Sequence, residues 1–467
     1  MKKYLNELEI LPENPFNNCK LNREKNANVL TSIVKNFSTG FVLAINNKWG
    51  TGKTTFIKMW NQKLKNEEFR TLYFNAWEND IDTEPMVAIL GELKSLVGDS
   101  ENKLLKSVLT NGAVLAKNIV PSLAKALANK YIDLKIVGEA IEGTLKGTTE
   151  ILTKEVENYS KKKKSITDFK IDLHKYIVEQ SSSKPLVFFI DELDRCRPDY
   201  AVEVLEKIKH FFSVDGIVFV LSIDREQLEN SIKGYYGNDK INANDYLRRF
   251  IDVEYRLPEP KYEEFCKYLY DKFNFKDFIE SSDRNGLSLF KYDSTEFVKF
   301  ATLLFNSKNL TIRQQEKIFS HAKIALITFK FNSYLFPSIF LLLIYIREFE
   351  PKYYIDIKNQ KYSIQELVEI LEKLVAIDIV KSNPDVASVY YIISQFIVMY
   401  NLKDYDFIQI ENLILVNGEE RLLSFKSIID SFKPGLLLSN IEHILREREV
   451  RPLKVLISKI DLLDYVS

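Results

Sequence analysis

Residues 41–55 read FVLAINNKWGTGKTT, and this stretch decides the fold. FVLAIN (41–46) is an apolar run of strand length, and apolar periodicity predicts a helix from about Lys53 to Lys65. Between them lies a loop holding Gly50 and Gly52. Strand, Gly-containing loop, Gly-Lys-Thr and helix, in that order, are the context a phosphate-binding loop requires. Its backbone N–H groups must turn inward on an anion, which excludes bulky residues and negative φ at key points; Gly50 and Gly52 supply that freedom. The helix N-terminus adds its partial positive charge. On this reading Lys53 reaches the β- and γ-phosphates and Thr54 places its hydroxyl on Mg²⁺. Asn47, Thr51 and Thr55 complete the nucleotide contacts. Asn47 stands where the usual pattern begins with glycine. Asn tolerates a left-handed backbone best among non-Gly residues, so the loop is expected to keep its shape there.

Around this stretch, the first half of the chain alternates apolar strands with helical patterns, the mark of an α/β parallel sheet with crossover helices. TLYFNA (71–76) is a second strand, followed by a helix near Pro85–Val97. LVFFID (186–191) is a third, apolar on both faces as a central buried strand should be. GIVFVLSID (216–224) is a fourth and FIDVEYRL (250–257) a fifth. Strands two and three are separated by a long, mostly helical stretch, read as an insertion over about 98–165 because no ordinary crossover is that long. Its Lys161–Lys164 run reads first as a solvated helix face, with an anionic contact as the alternative. Beyond Pro258 helical periodicity dominates to the C-terminus.

The third strand delivers two adjacent acids in LVFFIDELDRC (186–196). Adjacent carboxylates at the end of a buried strand are costly unless they serve a cation or a water. Asp191 is the candidate for the Mg²⁺ shell and Glu192 for orienting an attacking water, and such a second acid points to hydrolysis rather than phosphate transfer. Ser222 and Asp224 end the fourth strand, where a parallel sheet meets its ligand. One of them senses a γ-phosphate, or Asp224 caps the helix that starts at Arg225. Candidate arginines for the transition-state charge are Arg195 and Arg197, Arg248 and Arg249 in DYLRRF, and Arg313 in LTIRQQEKIF. Thr311 is placed to cap that last helix.

Composition bounds the rest. In 467 residues, 65 basic side chains balance 65 acidic ones, and 46% of residues are hydrophobic. That excludes a disordered or wholly basic nucleic-acid-binding chain and allows about three domains. Only 15 Gly and 13 Pro predict many long helices. Cys19, Cys196 and Cys266 share no disulfide or CxxC spacing, which fits a reducing, cytoplasmic setting. The four histidines form no zinc pattern. The N-terminal residues lack the apolar core of a signal peptide. Residues 331–346, uncharged but short and broken by Pro337, read as a buried helix rather than a membrane span, and 107–126 as amphipathic helices. Adenine is the expected base, since NKxD and DxxG elements are absent.

WGTGKTT (49–55), FNAWEND (74–80), FFIDELDRCRPDYAVEVLEKIKHFF (188–212), VFVLSIDREQL (218–228) and DYLRRFIDVEYRLPEP (245–260) together resemble the KAP family of P-loop NTPases, over roughly residues 15–330. LNREKNANVL (21–30) is similar to the family's element before the P-loop strand, which makes Arg23 a nucleotide-side candidate. The resemblance implies a nucleotide-binding core of the additional-strand, catalytic-Glu type, with a sheet of order 5-1-4-3-2 followed by a helical lid. With the strand and helix patterns, this divides the chain into core (1–97), helical insertion (98–165), core (166–260), helical lid (261–330) and, beyond the resemblance, an all-helical C-terminal domain (331–467). The resemblance implies ATP and Mg²⁺ as ligands and a role among the soluble bacterial members associated with defence against phage or mobile elements. Homo-oligomers and a separately encoded effector are the expected partners. In FNAWEND, Phe74 and Trp77 are expected to pack between the core and the insertion, with Asn75 hydrogen-bonding the acidic loop. The chain is thus read in three ways: an ATP hydrolase acting as a conformational switch or assembly ATPase, a nucleotide-dependent scaffold with little hydrolysis, and a nucleic-acid motor, the last disfavoured by the charge balance.

Overall fold

A computed structural model describes residues 9–37, 39–81, 84–96, 103–119, 151–179, 184–259, 261–376, 386–404, 407–408, 413–417, 420–427, 434–447 and 450–462. The part of the insertion that falls in 120–150 lies outside the described residues. The chain divides into two compact units, Leu8–Glu259 and Pro260–Ser467, the latter grouped with Met1–Glu7.

The first unit is built on five parallel strands: β1 (Phe41–Asn46), β2 (Thr71–Asn75), β3 (Leu186–Asp191), β4 (Ile217–Ile223) and β5 (Val253–Arg256). Their order is β2-β3-β4-β1-β5, as the resemblance implies. The pleat explains why β3 up to Ile190 and β4 up to Leu221 are apolar at every position: successive side chains enter opposite layers. Val187, Phe189, Val218 and Val220 enter one core with Leu43 and Ile45. Leu186, Phe188, Ile190, Phe219 and Leu221 enter the other.

Helices cover both faces. α1 (Glu24–Asn36) and α2 (Lys53–Asn66) close the first core. There Trp60 is fully buried, stacks on Phe56, meets Phe189 edge-on and donates its indole N–H to Thr31 Oγ1 at 3.0 Å. Truncating such an aromatic costs about 3–5 kcal/mol. α3 (Pro85–Ser95), α4 (Lys103–Ile119), α5 (Ile151–Glu179), α6 (Pro198–Lys207) and α7 (Arg225–Tyr236) lie toward the second core, with the short α8 (Ala243–Leu247) leading into β5.

One row of the sheet register sets a line of polar groups. Asn75 pairs with Asp191, Asp191 with Ser222, Ser222 with Ile45 and Ile45 with Tyr255. The polar ends of β2, β3 and β4 therefore stand side by side along the C-terminal edge, where open α/β sheets meet ligands.

The second unit is mainly helical. Pro337–Phe349 is a helix whose first ten residues are all buried, so the uncharged run at 331–346 is core from Pro337 on, whereas Phe331 and Asn332 before the helix are exposed. Among the described residues no helix is long and apolar enough to cross a membrane. Thr311 and Gln314 form a capping box at the start of Ile312–Leu326. The C-terminal region is not helical throughout, contrary to expectation. Leu402–Asp404 pairs antiparallel with Phe407–Ile408, and Ile414–Asn417 with Glu420–Leu423. These segments are two to four residues long, too short for period-two patterning to stand out in the sequence.

Candidate functional site

The loop between β1 and α2 takes its shape from two glycines. Gly50 and Gly52 both sit at φ 77°, a left-handed conformation that L side chains resist. Gly52 is the N-cap of α2 and supplies no side-chain cap, so the first-turn N–H groups are left for an anion. Asn47 does not adopt the left-handed backbone expected of it, since it is absent from the positive-φ residues. It is held in place instead: its N–H donates to Ile223 O at 3.1 Å and its side-chain amide to Leu257 O at 3.2 Å. The loop thus tolerates Asn because that position needs anchoring rather than a turn.

Arg23 is buried beneath the loop. Its Nη2 donates to Thr51 O at 2.7 Å and Nη1 to Gly52 O at 3.0 Å. Burial pushes its pKa down to about 10. Arg23, a nucleotide-side candidate from sequence, thus braces the loop through its carbonyls. Thr51 Oγ1 closes the turn by donating to Lys48 O at 2.8 Å. Thr54 and Thr55 follow Lys53 in the first turn of α2, both half-buried.

Lys53 is buried and donates to Asn47 O at 2.5 Å and Lys48 O at 3.2 Å. Desolvation pushes its pKa down, and the carboxylates of Asp194, Asp224 and Asp191, in that order, push back. Asp191 is fixed on both oxygens: Oδ2 accepts from the Tyr73 hydroxyl and Oδ1 from the Glu192 N–H, each at 3.0 Å. Glu192 stands in a left-handed conformation, φ 61°, at the point where β3 turns into a single 3-10 turn. Such strain in a non-Gly residue costs about 1–3 kcal/mol and concentrates at functional sites. Its Oε1 lies 2.9 Å from Arg195 Nη1, and Asn75 Nδ2 donates to Oε2 at 3.3 Å. Burial raises the Glu192 pKa and Arg195 opposes that rise.

Ser222 is buried next to Asp191 in the register, and its Oγ meets no hydrogen-bond partner among the described residues. Asp224 is the N-cap of α7 but makes no side-chain cap; Asn46 Oδ1 takes the Arg225 N–H instead, at 3.0 Å. The Asp224 carboxylate faces the loop and accepts the Trp49 N–H at 3.1 Å. Between the two readings of Asp224, the side chain serves the loop.

The other arginines are placed differently. Arg197 is bound by Asp80 through its side chain and its own backbone N–H, at 2.9 and 2.7 Å. Arg248 and Arg249 are exposed at the end of α8, where Arg248 pairs with Asp245 at 3.3 Å. Arg313 is exposed near the start of its helix in the second unit. Trp77, expected to pack between the core and the insertion, is 51% exposed, and Arg195 lies 5.7 Å from its ring centroid; Phe74 is buried in the second core. Sequence reasoning gave no role to Asp194, Asn46 or Tyr73, although Asp194 lies inside the DELDRC run. Their partners are distant in the chain, so only the fold reveals them.

At this edge Asp191, Glu192, Asp194 and Asp224 face Lys53 and Arg195, leaving an excess of negative charge. Hard oxygen donors beside a phosphate loop suit Mg²⁺, which takes a few carboxylate and hydroxyl ligands and shares the rest with phosphate and water. A left-handed glycine loop, a buried lysine at a helix start and acids at the adjacent strand end define a P-loop nucleotide-binding α/β protein.

The chain belongs to the KAP family: the family's P-loop domain matches residues 23–368. It is also similar to an uncharacterised protein of Methanocaldococcus jannaschii, 28% identical over 176 residues that make up 33% of this chain and 90% of that protein. The structure of the Aeropyrum pernix ORC2 protein in ADPNP–ADP complexes covers 96% of this chain and 98% of its own, at 14% identity and a TM-score of 0.35. That likeness is too low to speak to function.

Proposed function

We propose that this chain is a Mg²⁺-dependent ATPase that works as a conformational switch or an oligomeric assembly ATPase. The observation that carries the reading is the buried Lys53 at the head of α2, its Nζ on the loop carbonyls of Asn47 and Lys48, with Asp191 and Glu192 at the end of the adjacent β3. Lys53 and the N–H groups of Gly50–Thr55 hold the β- and γ-phosphates. Thr54 and Asp191 hold Mg²⁺, which supplies charge neutralisation on the phosphates. Glu192 orients a water whose oxygen attacks the γ-phosphorus while the bond to the β–γ bridging oxygen breaks, giving ADP and phosphate. Ser222 and Asp224 face the γ-phosphate. Arg248, Arg249 or Arg313 supplies the transition-state cation, from this chain or from a neighbouring copy. The setting we propose is cytoplasmic, with a homo-oligomer, a separately encoded effector and a part in bacterial defence against phage or mobile elements. That last role rests on the family resemblance.

The test is Mg²⁺-dependent ATP turnover of the purified chain beside Lys53→Ala and Glu192→Gln. Turnover lost in both variants supports the hydrolase. One observation favours a second reading, a nucleotide-dependent scaffold: both Glu192 oxygens are engaged, by Arg195 and Asn75. Tight ATP binding lost in Lys53→Ala, with no turnover in the wild type, selects the scaffold.

A further inference from the structure

Trp49 is an odd residue for a phosphate loop. Its side chain is 44% exposed, yet both of its N–H groups are tied down. The backbone N–H donates to Asp224 Oδ2 at 3.1 Å, and the indole Nε1–H donates to Asp194 Oδ2 at 2.5 Å. The same Asp194 oxygen accepts the Asp224 N–H at 2.9 Å. Trp49, Asp194 and Asp224 thus close a ring of three hydrogen bonds linking the P-loop, the turn after β3 and the end of β4. Both carboxylates are buried. A bond from a buried carboxylate to an N–H is among the stronger kinds available.

From this ring we infer that Asp194 is a positioning residue for the nucleotide site, acting by clasping the Trp49 indole and so fixing the P-loop against the end of β4. The inference rests on the nucleotide-binding reading above. It assigns Trp49 a task that its exposed ring does not suggest: the indole N–H is the handle by which the loop is held. It also links the two ends of the site. A shift of Asp224 toward or away from a γ-phosphate pulls on the oxygen that holds Trp49, so the loop and the strand end move together.

A competing account gives Asp194 only an electrostatic role, as the carboxylate that most favours the charged form of Lys53. The two accounts separate cleanly. Trp49→Phe keeps the ring and the backbone N–H but removes the indole donor. Asp194→Asn keeps one carbonyl oxygen able to accept both N–H groups but removes the charge. Asp194→Ala removes both.

The experiment measures equilibrium binding of MgADP and MgATP to the full chain, with thermal unfolding of each nucleotide-free variant beside it. The clasp predicts that Trp49→Phe and Asp194→Ala each weaken binding about tenfold. The double variant should be no weaker than Asp194→Ala, because both changes break the same bond. Asp194→Asn should lose clearly less than Asp194→Ala. Trp49→Phe that binds like wild type overturns the proposal, as do single effects that multiply in the double variant. Equal losses in Asp194→Asn and Asp194→Ala, with Trp49→Phe silent, select the charge account instead. If Asp194→Ala does not fold, Trp49→Phe and Asp194→Asn decide the matter alone. A wild-type chain that binds neither nucleotide refutes the site reading itself, whereas normal wild-type binding with silent variants refutes only the clasp.

Discussion

Arg195 holds the carboxylate of Glu192: its Nη1 stands 2.9 Å from Glu192 Oε1. The pair spans one 3-10 turn and is fixed by the left-handed backbone of Glu192. A carboxylate bonded to a guanidinium stays ionised yet is less available to a water. Arg195 is therefore a restraint as well as an electrostatic support.

Removing that restraint has a pH signature. Burial raises the Glu192 pKa and Arg195 lowers it. In Arg195→Gln the lowering cation is gone, so Glu192 titrates at higher pH. On the proposed hydrolase reading the ionised carboxylate is the working form, so turnover is lost on the acid side as pH falls through that value. The acid limb of the pH–rate profile should accordingly move upward in Arg195→Gln. An acid limb that stays put in the variant would show that Arg195 does not govern Glu192.

Arg23 supports the loop through two carbonyls in a buried place. Hydrogen bonds from a charged donor are worth about 1.5–3 kcal/mol each, and Arg23→Ala strands both acceptors. A loss of about 3 kcal/mol in urea unfolding of the nucleotide-free chain is expected. Arg23→Lys should fall between, because an ammonium lacks the planar fork. A loss below about 1 kcal/mol for Arg23→Ala would mean that the loop stands without its brace.

Lys53 gives a proton-linkage prediction. Its pKa is lowered chiefly by burial, and polyphosphate favours the protonated ammonium. Binding therefore raises the Lys53 pKa and takes up a proton where the free group is partly neutral. Nucleotide affinity should fall as pH rises on the alkaline side, below the ordinary lysine value. Calorimetric titrations in buffers of different ionisation enthalpy measure the uptake; no buffer dependence there would mean that Lys53 is fully charged before binding.

In the second unit, Arg284 is fully buried and donates to Phe331 O at 2.8 Å and Ser333 O at 2.7 Å, with Asp293 as its ion partner. Its guanidinium also lies 4.8 and 4.1 Å from the rings of Phe278 and Phe290. Removing one member of a buried pair costs about 3–5 kcal/mol because the other is left uncompensated. Arg284→Met should show a loss of that size in chemical denaturation, and Arg284→Met with Asp293→Leu a smaller one. Equal losses in the two would mean that the pairing with Asp293 is immaterial.

The sequence was most legible where chemistry and local geometry coincide. The strands at 41–46 and 186–191 and the start of α2 at Lys53 lie where period and glycine placement put them. The sheet order was legible through the family resemblance, and the register then sets Asn75, Asp191 and Ser222 side by side. What did not show was contact between distant segments. Nothing in LNREKNANVL says that Arg23 turns under Thr51 and Gly52, and nothing in WGTGKTT says that the indole meets Asp194. Trp77 misled because an aromatic at a strand end usually packs inward, whereas here its face is left for Arg195. Asn47 misled because one role, a left-handed turn, was assumed for a position that is instead anchored by hydrogen bonds.

The row that joins Asn75, Asp191 and Ser222 also bears on how the chain matures. A strand slipped by one residue turns every side chain to the opposite layer, so a misaligned β3 would offer Ile190 to Ser222 in place of Asp191. Such a chain can be nearly as compact, but it cannot set Asp191 between Asn75 and Ser222. A ligand that needs the whole row binds only chains whose strands have met in step, and mass action then enriches those chains at the expense of the rest. Nucleotide would thus act as an inspector of assembly, giving added stability only to copies that passed.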